Sequence, residues 1–336
     1  MAAFDRILSG IPEMDKALDN IRLGDNVVWR VSHLQEFRYF CEPYVEQAIK
    51  DRRNIIYFRF ASHEPLVKEC PEVKRIEIPL SHQFENFTVE IHKVIEREGF
   101  DAFYVFDCLS ELQTAWATDL MMGNFFRVTC PFLFSLDTVA FFPIIRGKHS
   151  FHAVKKILNT TQLLLDVYSD PNNIYVRPAK VWNRDSETMF LPHIYKKEMG
   201  TFRPIRDGVQ SSRFYQILGK FQRPGEEQFT DSWDRFFNTA KMLYDNHMNT
   251  DEACNTMCDI MMTRDSKMRL MVKKHFTPED YFSVRNHMIG TGMIGGKACG
   301  MLLSRAIVRN LASDINEVLE PHDSFFIGSD VYYTYI

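Results

Sequence analysis

The N-terminal part of the chain alternates short apolar runs with segments whose apolar residues recur at helical spacing. Apolar runs at Asn26–Val31, Asn54–Ala61 and Asp101–Leu112 predict buried strands. Between the first two runs, apolar residues recur every three or four positions: Leu34, Phe37, Phe40, Tyr44, Val45 and Ala48. Strands that alternate with helices predict an α/β fold, in which helices flank a mostly parallel sheet.

Local signals add detail to this pattern. Ser32 and Gln35 form an S-x-x-Q capping box, which predicts the start of a helix. Further helices are predicted at Phe84–Glu98 and Ser150–Asp170. Two β-rich runs around the polar turn NRDSE (183–187) predict an antiparallel hairpin at the edge of the sheet.

The pattern changes after about Val209, where apolar positions near the helical period replace the strand-like runs. A glycine cluster then begins at His287, and the tail DSFFIGSDVYYTYI is strand-like. These shifts predict three parts: a domain at 1–205, a helical linker at 206–286 and the start of another domain at 287–336. Because the tail ends on a strand-like run, we expect the third domain to be truncated.

Composition excludes several classes of protein. The 336 residues carry 40 Lys and Arg against 44 Asp and Glu, a net charge of −4, without the basic excess of a nucleic-acid-binding protein. No apolar run approaches the length of about 18 residues that a membrane span needs. The charged first twenty residues lack the apolar core of a signal peptide. The seven scattered cysteines predict reduced thiols in a cytoplasmic protein.

The opening segment ILSGIPEMDKALDNIRLGDNVVWRV resembles the start of a RecA-like ATPase of the KaiC type. The matching positions are Ser9, Gly10, Ile11, Pro12, Asp15, Gly24 and Asp25. Active relatives carry a Walker A loop after the first strand, but this chain reads RVSHLQEF there, without glycine or a Lys-Ser/Thr pair. We therefore predict a degenerate domain that does not hydrolyse ATP.

Three polar residues near strand ends are candidates for anion or metal chemistry in this domain. Asp107 occupies a Walker B-like position, and its simplest interpretation is a solvent-facing acid at a strand end. Arg59 and His63 follow a strand, where α/β sheets keep their ligand crevices. A structural arginine and a surface histidine are the favoured interpretation of this pair.

The glycine cluster matches three phosphate-loop patterns to different extents. Gly290, Gly292 and Gly295 satisfy G-x-G-x-x-G, which requires a preceding strand and a βαβ unit, yet the preceding segment has a helical pattern. The Walker A pattern fails, because Thr291 stands in place of its first glycine and Ala298 in place of its hydroxyl residue.

The third pattern is a family resemblance. MIGGKACGMLLSRAI resembles the nucleotide-binding segment that opens the ATP-grasp domain of the pyruvate phosphate dikinase and phosphoenolpyruvate synthase family. The resemblance implies that Gly295 and Gly296 form the glycine turn, that Lys297 contacts ATP phosphate, and that Ala298–Arg305 form the following helix. It also implies ATP and Mg²⁺ as cofactors and pyruvate as a substrate.

Two functions follow from these patterns. One is the N-terminal portion of an ATP-dependent phosphotransferase, with an ATP-binding set of Gly295, Gly296, Lys297 and Ala298 and with this segment inactive by itself. The other is a non-catalytic regulatory or oligomerisation module, a homo-oligomer built on the degenerate domain. Neither predicts a nucleic-acid or membrane partner. No catalytic residue and no metal ligand is identified, since Cys254 and Cys258 lack a second pair with zinc spacing.

Overall fold

The computed structural model describes residues 5–79, 84–113, 119–221, 230–311 and 324–335. The chain divides into two compact units. The first comprises Met1–Leu112 with Met122–Phe229, and the second comprises Gln113–Met121 with Thr230–Ile336.

The first unit is an α/β structure. Its strands are β1 (Arg6–Ile7), β2 (Ile21–Arg22), β3 (Asn26–Val31), β4 (Ile55–Arg59), β5 (Val73–Glu77), β6 (Phe103–Phe106), β7 (Val139–Ile145), β8 (Leu163–Ser169), β9 (Ile174–Val181), β10 (His193–Lys196) and β11 (Thr201–Pro204). Its helices are α1 (Pro12–Leu18), α2 (Leu34–Lys50), α3 (Phe84–Glu98), α4 (Asp119–Ser135, which begins in the second unit), α5 (Phe151–Thr160) and α6 (Gly208–Phe221).

Nine strands of the described residues form one sheet in the order β11-β10-β9-β8-β3-β7-β6-β4-β5. The six strands from β8 to β5 are parallel to their neighbours, whereas β9, β10 and β11 pair antiparallel. The predicted fold class, a mostly parallel sheet with flanking helices and an antiparallel hairpin, is therefore confirmed.

The sheet core explains why its strands are continuous apolar runs. Strand β3 lies near the middle of the sheet, and helix α2 covers one face of it. Trp29 stacks on Phe40 of α2 with ring centroids 4.5 Å apart, and Tyr44 of α2 stacks on Phe141 of β7 at 3.9 Å. Strands buried on both faces lose the alternation of apolar and polar residues.

Strand β8 corrects the prediction of one helix over Ser150–Asp170. The helix α5 ends at Thr160, and Leu163–Ser169 forms a strand between β3 and β9. A short apolar run has no periodicity that separates a buried strand from a buried helix. Its single charged residue, Asp166, is accommodated because Arg30 of β3 donates two hydrogen bonds to it, at 2.5 and 2.6 Å.

The second unit is largely helical in its described residues. Its helices are α7 (Ser232–Asp245), α8 (Asp251–Met257), α9 (Ser266–His275), α10 (Pro278–Asn286), α11 (Gly296–Leu311) and α12 (Ser329–Tyr335). A π-helical turn, Cys258–Met262, follows α8 directly. The predicted helical character agrees with these elements, and the tail corrects the strand expected there, because Ser329–Tyr335 is helical.

Two short parallel strands flank the glycine cluster. Strand β12 (Met288–Ile289) precedes the cluster, and β13 (Phe326–Ile327) pairs with it in parallel after α11. The expectation that no strand precedes the glycines is therefore wrong: two residues of strand fit between α10 and the loop. The glycine cluster lies at the carboxyl end of β12, in a strand–loop–helix–strand unit.

Candidate functional site

The turn between β3 and α2 is where a Walker A loop would hold phosphate. Here the side chain of Glu36 fills that role for the protein itself. Its carboxylate accepts the backbone N–H of Ser32 at 2.6 Å and of His33 at 3.4 Å, and the hydroxyl of Ser169 donates to its other oxygen at 2.5 Å. Glu36 is only 3% exposed. The backbone donors of this turn are thus already bound to a protein anion.

This arrangement replaces the capping box predicted for Ser32 and Gln35. The helix α2 begins at Leu34, one residue later than that box requires, and Glu36 caps it. A carboxylate is a stronger hydrogen-bond acceptor than an amide, and a negative charge is favoured at a helix N-terminus. Glu36 therefore displaces Gln35 as the capping residue.

Asp107 is fully buried, so the prediction of a solvent-facing acid is wrong. One carboxylate oxygen accepts from Arg59 Nη1 at 2.7 Å and from the backbone N–H groups of Phe60 and Ala61, each at 2.9 Å. The hydroxyl of Tyr57 donates to the other oxygen. Burial, followed by the charge of Asp107, raises the pKa of Tyr57. With these bonds made, Asp107 is a structural acid of the core.

Arg59 and His63 belong to the same network. Besides its ion pair with Asp107, Arg59 donates to the carbonyl of His63. The ring of His63 is half-buried: its Nε2 accepts the backbone N–H of Cys108 at 3.2 Å, and its Nδ1 lies 2.7 Å from the carbonyl of Glu64. The proton therefore resides on Nδ1. The structural interpretation of Arg59 agrees with this geometry, while His63 is an internal partner rather than a surface residue.

A cleft of about 620 Å³ opens beside Glu36 at the carboxyl edge of β3 and β8. His33 and Tyr39 of α2 line one side, and Asp170 and Lys197 lie among the other lining residues. Lys197 forms an ion pair with Glu42 at 3.0 Å. Acids and bases are mixed along the cleft, so it lacks the single-sign field that collects phosphate.

In the second unit, two glycines of the cluster have packing reasons for their identity. Gly290 and Gly292 adopt φ of +81° and +88°. An added Cβ would lie 2.3 Å from the Asp330 carboxylate at Gly290, and 2.3 Å from the Ser329 hydroxyl at Gly292. Side chains are thus excluded at both positions by backbone conformation and by contact. The G-x-G-x-x-G match follows from local packing.

Gly295 and Gly296 differ from this pair because they are exposed and a Cβ at either would meet open space. Helix α11 begins at Gly296, and the carbonyl of Gly295 accepts from Cys299 N at 3.0 Å. The first N–H groups of a helix lack intrahelical partners. Gly295 has no side chain to satisfy them. The N–H groups of this turn, Gly295–Ala298, therefore face an accessible surface.

Lys297 is the second residue of α11, and its side chain is exposed. Within the described part of the chain it forms no ion pair. Other helix starts of this unit are capped by side chains. In α9, for example, Asp265 accepts from Met268 N at 2.8 Å, and in α10 Thr277 and Asp280 form a capping box. The glycine-led start of α11 combines backbone donors with a mobile positive charge.

Metal clusters and membrane-spanning helices are both absent from the described ranges. No three His, Cys, Asp or Glu side chains within them gather where they could hold a metal ion. Nor is any of the helices in those ranges long and apolar enough to cross a membrane. All seven cysteines are free thiols, as the sequence predicts.

No protein-family model and no curated protein sequence matches the chain. Among solved structures, the chain is similar to the ATPase domain of a helicase, with 10% identity and a TM-score of 0.44. That similarity covers 61% of this chain and 93% of the other. The class of the first unit follows from its own strand order: it is an α/β domain with a mainly parallel sheet and an antiparallel edge.

Proposed function

We propose that the chain is part of an ATP-dependent phosphotransferase resembling phosphoenolpyruvate synthase and pyruvate phosphate dikinase, in which the turn Gly295–Ala298 binds a phosphate of ATP. One observation carries the proposal: the exposed, glycine-led N-terminus of α11, with Lys297 in its first turn. In this proposal residues 287–336 begin an ATP-grasp-like domain, 206–286 connect it, and 1–205 form a RecA-like domain without nucleotide.

The chemistry of the turn suits phosphate. Backbone N–H groups at a helix N-terminus point toward an anion, and the helix dipole favours its charge. The open space at Gly295 and Gly296 allows a phosphate oxygen to approach the backbone closely. Lys297 adds a mobile point charge. The dipole term at an exposed helix end is about 0.3–1 kcal/mol, so we expect weak binding by this turn alone.

ATP fits this turn through its phosphates. Mg²⁺, when bound to ATP, neutralises the charge of the phosphates. Asp107 is consumed by core hydrogen bonds, and the described residues gather no carboxylate group for a metal, so we propose no protein ligand for Mg²⁺. Pyruvate as the acceptor rests on the family resemblance alone.

A second candidate function concerns the first unit. We infer that it is a non-catalytic module, regulatory or oligomerising, because the two residues nearest to nucleotide chemistry are committed to internal bonds. Glu36 occupies the backbone donors after β3, and Asp107 neutralises Arg59. This candidate and the phosphotransferase are compatible when the first unit is a scaffold for the second.

Amide-resolved NMR of the 336-residue chain, titrated with Mg-ATP and with tripolyphosphate, tests both candidates. The proposal predicts concentration-dependent shifts of the Gly296, Lys297 and Ala298 amides. The amides of Ser32 and His33 should not move, because Glu36 holds them. Shifts at Ser32 and His33 without shifts at the turn would place the nucleotide in the first unit and reject the proposal.

A further inference from the structure

We infer that Ser329 and Thr291, together with Asp330, are positioning residues for the phosphate-binding turn. Ser329 and Asp330 begin α12, far along the chain from the glycine cluster, and the sequence alone assigns them no role. They hold the loop Gly290–Ile294 (the clamped loop), which leads directly into Gly295. The inference rests on the proposed function, since a positioning residue needs a ligand-binding group to position.

The first contact joins Thr291 to Asp330. Thr291 Oγ1 donates to Asp330 Oδ2 at 2.8 Å, and the Asp330 N–H donates back to the Thr291 carbonyl at 3.3 Å. Asp330 is only 4% exposed. A charge-assisted bond in so buried a place is stronger than a surface bond and fixes geometry. The start of the clamped loop is thereby tied to α12.

The second contact joins Ser329 to the end of the same loop. Ser329 Oγ accepts the backbone N–H of Met293 at 3.1 Å. The fit is tight on both sides: a Cβ at Gly292 would lie 2.3 Å from Ser329 Oγ, and one at Gly328 would lie 2.2 Å from the Thr291 carbonyl. Loop and helix thus pack backbone against backbone, with no room for displacement.

A third contact comes from the π-helical turn Cys258–Met262. In this turn Thr263 N donates to Cys258 O at 3.2 Å, and the Met261 carbonyl accepts from Ile294 N at 2.9 Å. Ile294 is buried at 4% exposure. π-Helical turns are frequent at functional sites. Met293 and Ile294, the two residues ahead of Gly295, are therefore each held by a hydrogen bond from a different element.

These contacts matter for binding because a backbone anion site works only when its donors are held in place. A loop that must be ordered by its ligand takes that cost out of the binding free energy. Sites are productive when their donors are fixed to within about 0.5 Å by a supporting shell. Ser329, Asp330 and Met261 supply such a shell to a turn that has no side-chain cap of its own.

The test compares Thr291→Val with Thr291→Ser in the 336-residue chain. Valine removes the hydroxyl while keeping the shape, and serine keeps the hydroxyl. The probe is tripolyphosphate, followed through the amide shifts of Gly296 and Lys297. We expect Thr291→Val to weaken binding about fivefold, the loss of roughly one net hydrogen bond. Thr291→Ser should bind within about twofold of wild type on the same reasoning.

Ser329→Ala provides an independent variant at the other contact. It should weaken tripolyphosphate binding similarly and speed hydrogen exchange at the Met293 amide, which loses its acceptor. If Thr291→Val and Ser329→Ala lower the melting temperature but bind tripolyphosphate as wild type does, the residues are merely structural and the inference is overturned. If the wild-type chain shows no shift at Gly296 or Lys297, the proposed function fails, and the positioning role fails with it.

Discussion

The carboxylate of Glu36 accepts the backbone N–H of Ser32 at 2.6 Å, within the turn that connects β3 to α2. A protein side chain thus supplies the anion at the place where a P-loop domain would bind phosphate. The bond forms within one helical turn of its partner, needs no ligand, and is covered from solvent. It converts a ligand-binding position into part of the folded core.

Replacing Glu36 tests this relationship. Glu36→Ala leaves the N–H groups of Ser32 and His33 without their acceptor, so we expect a loss of about 1–3 kcal/mol in the free energy of unfolding. Glu46→Ala, at an exposed position of the same helix, should change it by less than about 0.5 kcal/mol. Urea denaturation measures both variants. Equal stability of the two variants would show that Glu36 does not cap α2.

Added phosphate extends the same test. In Glu36→Ala the emptied position can accept an inorganic anion, so millimolar phosphate should raise the melting temperature of this variant above its effect on wild type. Both proteins responding alike would mean that the turn has no anion-binding geometry once the carboxylate is removed.

Asp107→Asn should destabilise the protein without a nucleotide effect. The change leaves Arg59 buried without its charge partner, and breaking a buried pair in this way costs about 3–5 kcal/mol. We also expect no ATP turnover from the wild-type chain, measured as phosphate release. Turnover that Asp107→Asn abolishes while the protein stays folded would make Asp107 a catalytic residue and contradict its structural role.

His193 gives the first unit a defined pH dependence. The residue is fully buried and stacks on Phe202 with ring centroids 4.7 Å apart, and burial lowers its pKa to about 4. Because the folded state disfavours the charged ring, its contribution is complete above the ordinary histidine pKa of about 6.5. That contribution, on the order of 3 kcal/mol, is lost as pH falls from about 6.5 toward 4.

Unfolding measured between about pH 7 and pH 4 checks this dependence. His193→Phe keeps an aromatic ring beside Phe202 and should flatten the slope in this window. His152→Gln, at an exposed position of α5, should leave the slope unchanged. An unaltered slope in His193→Phe would mean that other groups cause the loss of stability.

The glycines of the cluster should separate into two classes. Gly292→Ala introduces a Cβ at φ of +88° against Ser329, so we expect a loss of at least about 1 kcal/mol in stability. Gly296→Ala places alanine in a helix with open space around it and should stabilise the protein by up to about 1 kcal/mol. Thermal melting of both variants decides this. Two equal losses would remove the distinction between packing glycines and surface glycines.

Much of the first unit could be predicted from its sequence because the signals there are local. The bounds predicted for the strand Asn26–Val31 and the helix Phe84–Glu98 agree with the structure, since an apolar run and a helical period identify each. Strand β8 was missed because an apolar run has no periodicity to identify it and its one charge is neutralised by Arg30 on another strand. That pairing is invisible before the sheet is assembled.

The candidate site was predictable only in part, for the same reason. Gly295, Gly296 and Lys297 stand out as a motif, but nothing local separates them from Gly290 and Gly292, whose contacts lie in Ser329 and Asp330. The capping role of Glu36 was within reach, because a carboxylate is a better cap than the neighbouring amide. The burial of Asp107 was not, because Arg59 and Tyr57 reach it from a neighbouring strand.

The central claim is that the start of α11 binds phosphate, and a matched pair of lysines tests it most directly. Lys297 and Lys267 are each the second residue of a helix in the second unit, but the α9 start is capped by Asp265. The measurement is the dissociation constant of Mg-ATP for Lys297→Ala and Lys267→Ala. Our account predicts about tenfold weaker binding for Lys297→Ala alone, a change of about 1.4 kcal/mol. Equal affinities of both variants and wild type would contradict it.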